Sequence, residues 1–100
     1  MRIETSQQDK TFRVRLHDRM SFSDHALFRD ALGEIRKATP SLCVIEMENL
    51  VSIDSAGLGM LMIAHEEAKK GGWGLRLQAP QEQVRKLLHL ACMDKVLTIS

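Results

Sequence analysis

The chain has 100 residues, enough for one domain and near the lower end at which a single hydrophobic core sustains a fold. Lys plus Arg is 14 and Asp plus Glu is 13, so the formal charge is +1, without the basic excess of a nucleic-acid binder. Hydrophobic residues at 44% and charged residues at 27% are ordinary globular usage, which sets aside disordered and fibrous classes.

No apolar run approaches the ~18 residues needed to cross a bilayer. The opening MRIETSQQDK lacks the apolar stretch of a signal peptide. The expectation is one soluble, cytoplasmic domain over residues 1–100, with no membrane insertion. Three Phe, one Trp and no Tyr supply no row on which bases could stack, so no nucleic acid is expected. Cys43 and Cys92 are too few for a disulfide framework and lack metal-ligand spacing.

In chain order, residues 2–6 suggest a short strand, turning at Gln7–Asp9 into TFRVRLH over 11–17. Phe12, Val14 and Leu16 fall on one face there, with Arg13, Arg15 and His17 on the other, the signature of a half-buried strand. Ser21 or Ser23 can cap a helix over 24–38, where His25, Phe28, Leu32 and Ile35 recur at helical spacing. Pro40 ends it, and LCVIEME over 42–48 reads as a central strand, with Cys43 a small buried hydrophobe.

A second helix runs from Ser55 to Lys70 and stops at Gly71-Gly72, with Leu58, Leu61, Met62, His65 and Ala68 on its apolar face. A strand over 74–79 follows. Pro80 then leads into a helix at 81–91 with Val84, Leu87, Leu88 and Ala91 inward, and a last strand covers 95–99. Strands alternating with helices in this way predict an α/β domain: a small mixed sheet of four to five strands, about three helices mainly on one face, and the other face left to solvent.

The unusual stretch is Asp54-Ser55-Ala56-Gly57-Leu58-Gly59. Each Gly inside a helix costs ~1 kcal/mol relative to Ala, so two in a first turn suggest that another backbone or a partner comes close. A hydroxyl at Ser55 sits where backbone N–H groups lack acceptors and the helix dipole is positive, and a phosphate there would add about −2 charge. The plainer alternatives are that Asp54 or Ser55 simply caps the helix and that the glycines serve packing. A Walker-type loop is excluded, because Met60 rather than Lys follows Gly59.

I-D-S-A-G-L-G after an apolar strand, with a following helix that ends in K-K-G-G, resembles a STAS domain of the bacterial anti-sigma factor antagonist type, and the similarity runs over nearly the whole chain. The resemblance implies that Ser55 is a phosphoacceptor and that the protein acts by partner switching. Unphosphorylated, it would bind an anti-sigma factor that is a GHKL-type serine kinase. Phosphorylation would release it, and a PPM-type phosphatase would reset it. Asp54, Ser55, Ala56, Gly57, Leu58, Gly59 and Met60 are then the expected docking residues, with no catalytic group, cofactor or metal of the chain's own. Two departures stand out. Family members often have Gly-x-x-Asp near the end of the second strand, where this chain has Asp18-Arg19-Met20-Ser21, and Ala56 stands where many antagonists have a second hydroxyl. An alternative that the resemblance also allows is a STAS subunit that docks an ABC-type lipid-transport ATPase without being phosphorylated; another is a scaffold subunit of a sensory complex.

His17, His25, His65 and His89 show no ligand spacing, and His65-Glu66-Glu67 lacks the second His of a zinc-protease helix. Met60 is expected to be exposed and Met62 buried. Trp73, between two glycines, fits either a lid on the core edge or a surface anchor.

Overall fold

The alternation of Phe12, Val14 and Leu16 builds the first hairpin. In the computed structural model, which describes residues 1–100, β1 (Arg2–Gln8) pairs antiparallel with β2 (Thr11–Met20), and all three apolar side chains are buried. The turn falls at Asp9–Lys10, later and tighter than expected, with Asp9 at a φ of 55°, a left-handed geometry that Asp tolerates.

Asp24 prepares the first helix. Its carboxylate accepts from the Ser21 backbone N–H at 2.8 Å and from the Ser21 hydroxyl at 3.1 Å, across a short 3-10 turn at Phe22–Asp24. It also pairs with the Met1 ammonium at 3.0 Å. α1 (His25–Ala38) then buries Phe28, Ala31, Leu32 and Ile35 and ends on a left-handed Thr39 before Pro40.

β3 (Leu42–Ile53) is longer than the 42–48 segment expected, and no loop follows Met47. It stays parallel to β2 out to Met20↔Ile53 through two register shifts, the first setting Met47 and Glu48 against Leu16 alone and the second leaving Val51 unpaired, while Asn49 pairs with His17. Leu50 and Ile53 bury again beyond the shifts, and this supports the extra pairing. β2 is lengthened to match.

α2 (Ser55–Gly71) stops at Gly72, whose φ of 74° closes the helix with a bond from its N–H to the Ala68 carbonyl. β4 (Gly74–Gln78) and α3 (Glu82–Leu90) follow close to their expected positions. Ala91, expected inward, lies beyond the helix and is exposed; Val84 and Leu88 are the buried pair. The last strand is reduced to β5 (Thr98–Ile99), because Met93–Lys95 forms a 3-10 turn that buries Met93, and Leu97 is buried just beyond it.

Strand order is β1-β2-β3-β4-β5, with β2 to β5 parallel. Each parallel step moves one strand in the same direction, and right-handed crossovers therefore stack all three helices on one face. The core lies between that face and the helices, from Phe12 and Leu16 through Ile45 and Leu77 to Leu61, Val84 and Leu88. Trp73 belongs to it at 7% exposure, so it is a lid on the core edge.

Candidate functional site

The start of α2 is set by three local contacts. The Asp54 N–H donates to the Met20 carbonyl at 3.2 Å, tying the end of β3 to the end of β2. The Asp54 carboxylate accepts from the Gly57 N–H at 2.8 Å, which makes Asp54 the N-cap. The Leu58 N–H then donates to the Asp54 carbonyl at 3.0 Å, closing the first turn. Ser55 is therefore the first helical residue and not the cap.

The two glycines differ. A Cβ on Gly57 would sit 2.6 Å from Ile53 Cγ1 and 2.7 Å from the Met20 carbonyl oxygen, so the helix meets the sheet there with no room for a side chain. A Cβ on Gly59 would meet nothing within 4 Å. Packing accounts for the first and not for the second.

Asp54, Ser55 and Gly59 are exposed, and Ala56 and Leu58 are half-buried. Gly57 is buried and contributes shape rather than surface. Met60, expected on the docking surface, is a correction. It is 2% exposed and packs into the core, while Met62 is half-buried at the core margin. The inward face of α2 is Gly57, Met60, Leu61, Ala64 and Ala68, rotated from the predicted one because glycine and alanine can face the sheet at close range.

The Ser55 side chain is exposed, and the neighbouring Asp54 carboxylate is turned to the Gly57 amide. Ser55 stands at the positive end of a 17-residue helix. The Gly57 amide is taken by Asp54, and those of Ser55 and Ala56 have no acceptor inside the helix. The site thus combines an open hydroxyl, backbone donors and one adjacent carboxylate.

Asp18-Arg19-Met20-Ser21 forms the rim of this site through Met20. Asp18 has a φ of 68°, so the backbone keeps the left-handed bend that a glycine would supply there. Phe22, two residues beyond Met20, is 78% exposed, a surface feature outside the expected docking residues. The signal available was its place between Ser21 and Ser23, ahead of the helical repeat, where no core position calls for an aromatic ring.

The histidines are dispersed. His17 Nε2 lies 2.5 Å from Glu4, His25 Nδ1 2.9 Å from Arg29, and His89 Nδ1 2.9 Å from Asp94. No three His, Cys, Asp or Glu side chains converge as metal ligands. No helix is long and apolar enough to cross a membrane.

Comparison with known proteins places this geometry in a family. Residues 3–98 match the family model described as Mlab, STAS domain. A STAS-domain containing protein of Pseudomonas aeruginosa is 29% identical over 87 residues, covering 87% of this chain and 85% of that protein. Among solved structures, a candidate anti-sigma factor antagonist of Thermotoga maritima superposes with a TM-score of 0.87 at 18% identity, over 97% of this chain and 84% of that one. The anti-sigma factor antagonist SpoIIAA in its unphosphorylated form gives 0.77 at 15% identity, over 99% and 87%. The Bacillus protein SpoIIAA in its phosphorylated form gives 0.75 at 15% identity, over 99% and 91%. At these identities the superpositions establish the fold.

Proposed function

The chain belongs to the STAS domain family, and on that premise we propose that it is an anti-sigma factor antagonist switched by phosphorylation of Ser55. The observation that carries this reading is the position of Ser55: exposed, unengaged, and first in a helix whose start is tied to the sheet through Asp54 and Met20. A relative of the same fold, SpoIIAA, is known in both unphosphorylated and phosphorylated forms.

In the unmodified state, Ser55, Gly59 and half-buried Leu58 offer a small surface with no bulky side chain, and exposed Phe22, two residues past the Met20 carbonyl that holds the Asp54 N–H, is the apolar anchor on its rim side. The partner is an anti-sigma factor with serine kinase activity of the GHKL type. Transfer of a phosphoryl group to Ser55 adds about −2 charge next to the Asp54 carboxylate, at the centre of the contact. Burying that dianion beside a like charge costs more than the contact supplies, so the complex dissociates. A PPM-type phosphatase restores binding. The chain itself is a cytoplasmic binding protein and contributes no catalytic group.

The test uses the wild type with its kinase partner and ATP. Mass spectrometry is expected to place a single phosphate on Ser55, and phosphate elsewhere would remove that residue from the role. Ser55→Ala is expected to retain the complex and Ser55→Asp to weaken it by about tenfold or more, roughly 1.4 kcal/mol. Equal affinities would contradict the switch.

A second reading is favoured by two observations, the Mlab description of the matched family model and the lack of a second hydroxyl at Ala56. In it, the same surface docks the ATPase of an ABC-type lipid transporter constitutively. Co-purification with such an ATPase, with Ser55 unmodified, separates it from the first.

A further inference from the structure

The side of the sheet away from the helices is uncovered, and its charges do not balance. Phe12, Val14, Ile45 and Leu77 face the core, so the strand positions between them face outward: Arg13 and Arg15 on β2, Glu46 on β3 and Arg76 on β4. Cross-strand pairing puts Arg2 opposite His17 and Glu4 opposite Arg15 on the same side. Four guanidinium groups thus share a face with three carboxylates, Glu4, Glu46 and Glu48, the last close enough to Arg15 to act on its charge, on a chain whose formal charge is only +1.

Two of these carboxylates are already engaged. Glu46 is 8% exposed; its Oε2 accepts from Arg15 Nε at 3.2 Å and Nη2 at 3.0 Å, and its Oε1 lies 3.6 Å from Arg13 Nη1. Glu4 is bonded to His17 and lies 3.8 Å from Arg2. Arg76 Nε, by contrast, is buried with no hydrogen-bond partner. A buried donor left unpaired is costly and uncommon, and the half-buried Arg76 gains a partner for it by turning its guanidinium out toward an acceptor at the surface. The side chains of Arg13 and Arg15 are 43% and 45% exposed, so both can take further acceptors.

The spacing of these groups selects the ligand. Arg13 and Arg15 are about 6.6 Å apart along one strand, and Arg76 lies two strands away, about 9.6 Å across the sheet. That spread exceeds one carboxylate or phosphate and suits several carboxylates along a chain. No Phe or Trp lies on these rows to stack bases, and of the exposed large apolar residues only Val51 lies on these strands, too little to enter a bilayer.

We propose that this face is a second docking surface, which receives an acidic segment of a partner protein through guanidinium–carboxylate pairs, separately from the Ser55 site. Arginine is suited to such pairing because its planar fork meets a carboxylate with two donors. A partner held there would leave the Ser55 end of the molecule free.

The experiment is fluorescence anisotropy of the full chain with a labelled polyglutamate peptide of about ten residues. Saturable one-to-one binding is expected, weakening about fivefold or more as salt rises from about 50 to about 300 mM. Replacing Arg13→Gln and Arg76→Gln together should weaken it about tenfold or more. Ser55→Asp should leave it unchanged, and Glu46→Gln should strengthen it by releasing Arg15. If the double Gln variant melts early, Arg13→Lys with Arg76→Lys keeps the charge and is expected to bind at intermediate strength. No saturable binding, or binding indifferent to these arginines, overturns the proposal. So does tighter binding, through the same arginines, of inorganic phosphate, a single-stranded oligonucleotide or anionic phosphatidylglycerol vesicles.

Discussion

The Asp54 carboxylate and the Gly57 amide are joined at 2.8 Å, so the residue before the candidate switch serine is also what holds the first turn of its helix. Removing the cap should therefore lower stability even where Ser55 is intact. Asp54→Ala is expected to cost about 1 kcal/mol, whereas Asp54→Asn, which can still accept the bond, should cost little. Urea denaturation of the three proteins measures this. An unchanged midpoint in the Ala variant would show that the cap contributes nothing.

Gly57 and Gly59 lie two residues apart and should respond to alanine with opposite signs. At Gly57 the new methyl meets Ile53 Cγ1 at 2.6 Å and backbone at Met20, which can yield little, so a loss of about 1–3 kcal/mol is expected. At Gly59 the methyl meets nothing, and helix propensity alone should add about 0.5–1 kcal/mol. Thermal melts of Gly57→Ala and Gly59→Ala decide it. If Gly59→Ala is more stable yet binds its partner less well, that glycine serves close approach rather than folding.

The two cysteines should behave as different chemical species. Burial pushes the Cys43 thiol up to about 12, and it sits in the central strand under the helices. Cys92 is exposed at the end of α3. The thiolate is the reactive form, so a disulfide reagent at about pH 8 should label one thiol in the native protein and two in denaturant. Peptide mapping that finds Cys43 labelled first would mean that β3 opens before the rest of the sheet.

Asp24 links stability to acid. Burial alone would raise its carboxyl, but the hydrogen bonds from the Ser21 N–H, the Met1 ammonium and the Ser21 hydroxyl outweigh this and hold it below its ordinary value. A carboxyl depressed in the folded state contributes fully above its unfolded pKa of about 3.9, and that contribution is lost as pH falls through the folded pKa. The difference in melting temperature between wild type and Asp24→Asn should therefore be widest above about pH 5 and close toward pH 2. A difference independent of pH would show that the charge is not what holds the turn.

The sequence discloses most where side chains carry contrast. The alternation at Phe12, Val14 and Leu16, the repeat at Phe28, Leu32 and Ile35, and the D-S-A-G-L-G start of α2 all lie close to where the residues place them. The misplaced features are those in which small or polar residues do structural work. Gly57 and Ala64 form the inward face of α2 because they are small, and no hydrophobic repeat announces them, so Leu58 and Met62 looked equally good there. Glu48 and Asn49 interrupt the apolar run of β3, yet backbone pairing with β2 carries the strand past them. Phe22 offered no periodicity at all.

The carbonyl of Met20 has two neighbours, the amide of Asp54 and the space where a Gly57 side chain would be. It rivets the mouth of α2 to the sheet, a hydrogen bond and a close approach that both oppose sliding or rolling of the helix at its first turn. On the proposed switch, a phosphate on Ser55 would then be broadcast as an electric field at the surface, read by whatever is pressed against it, rather than relayed as a change of shape through the molecule.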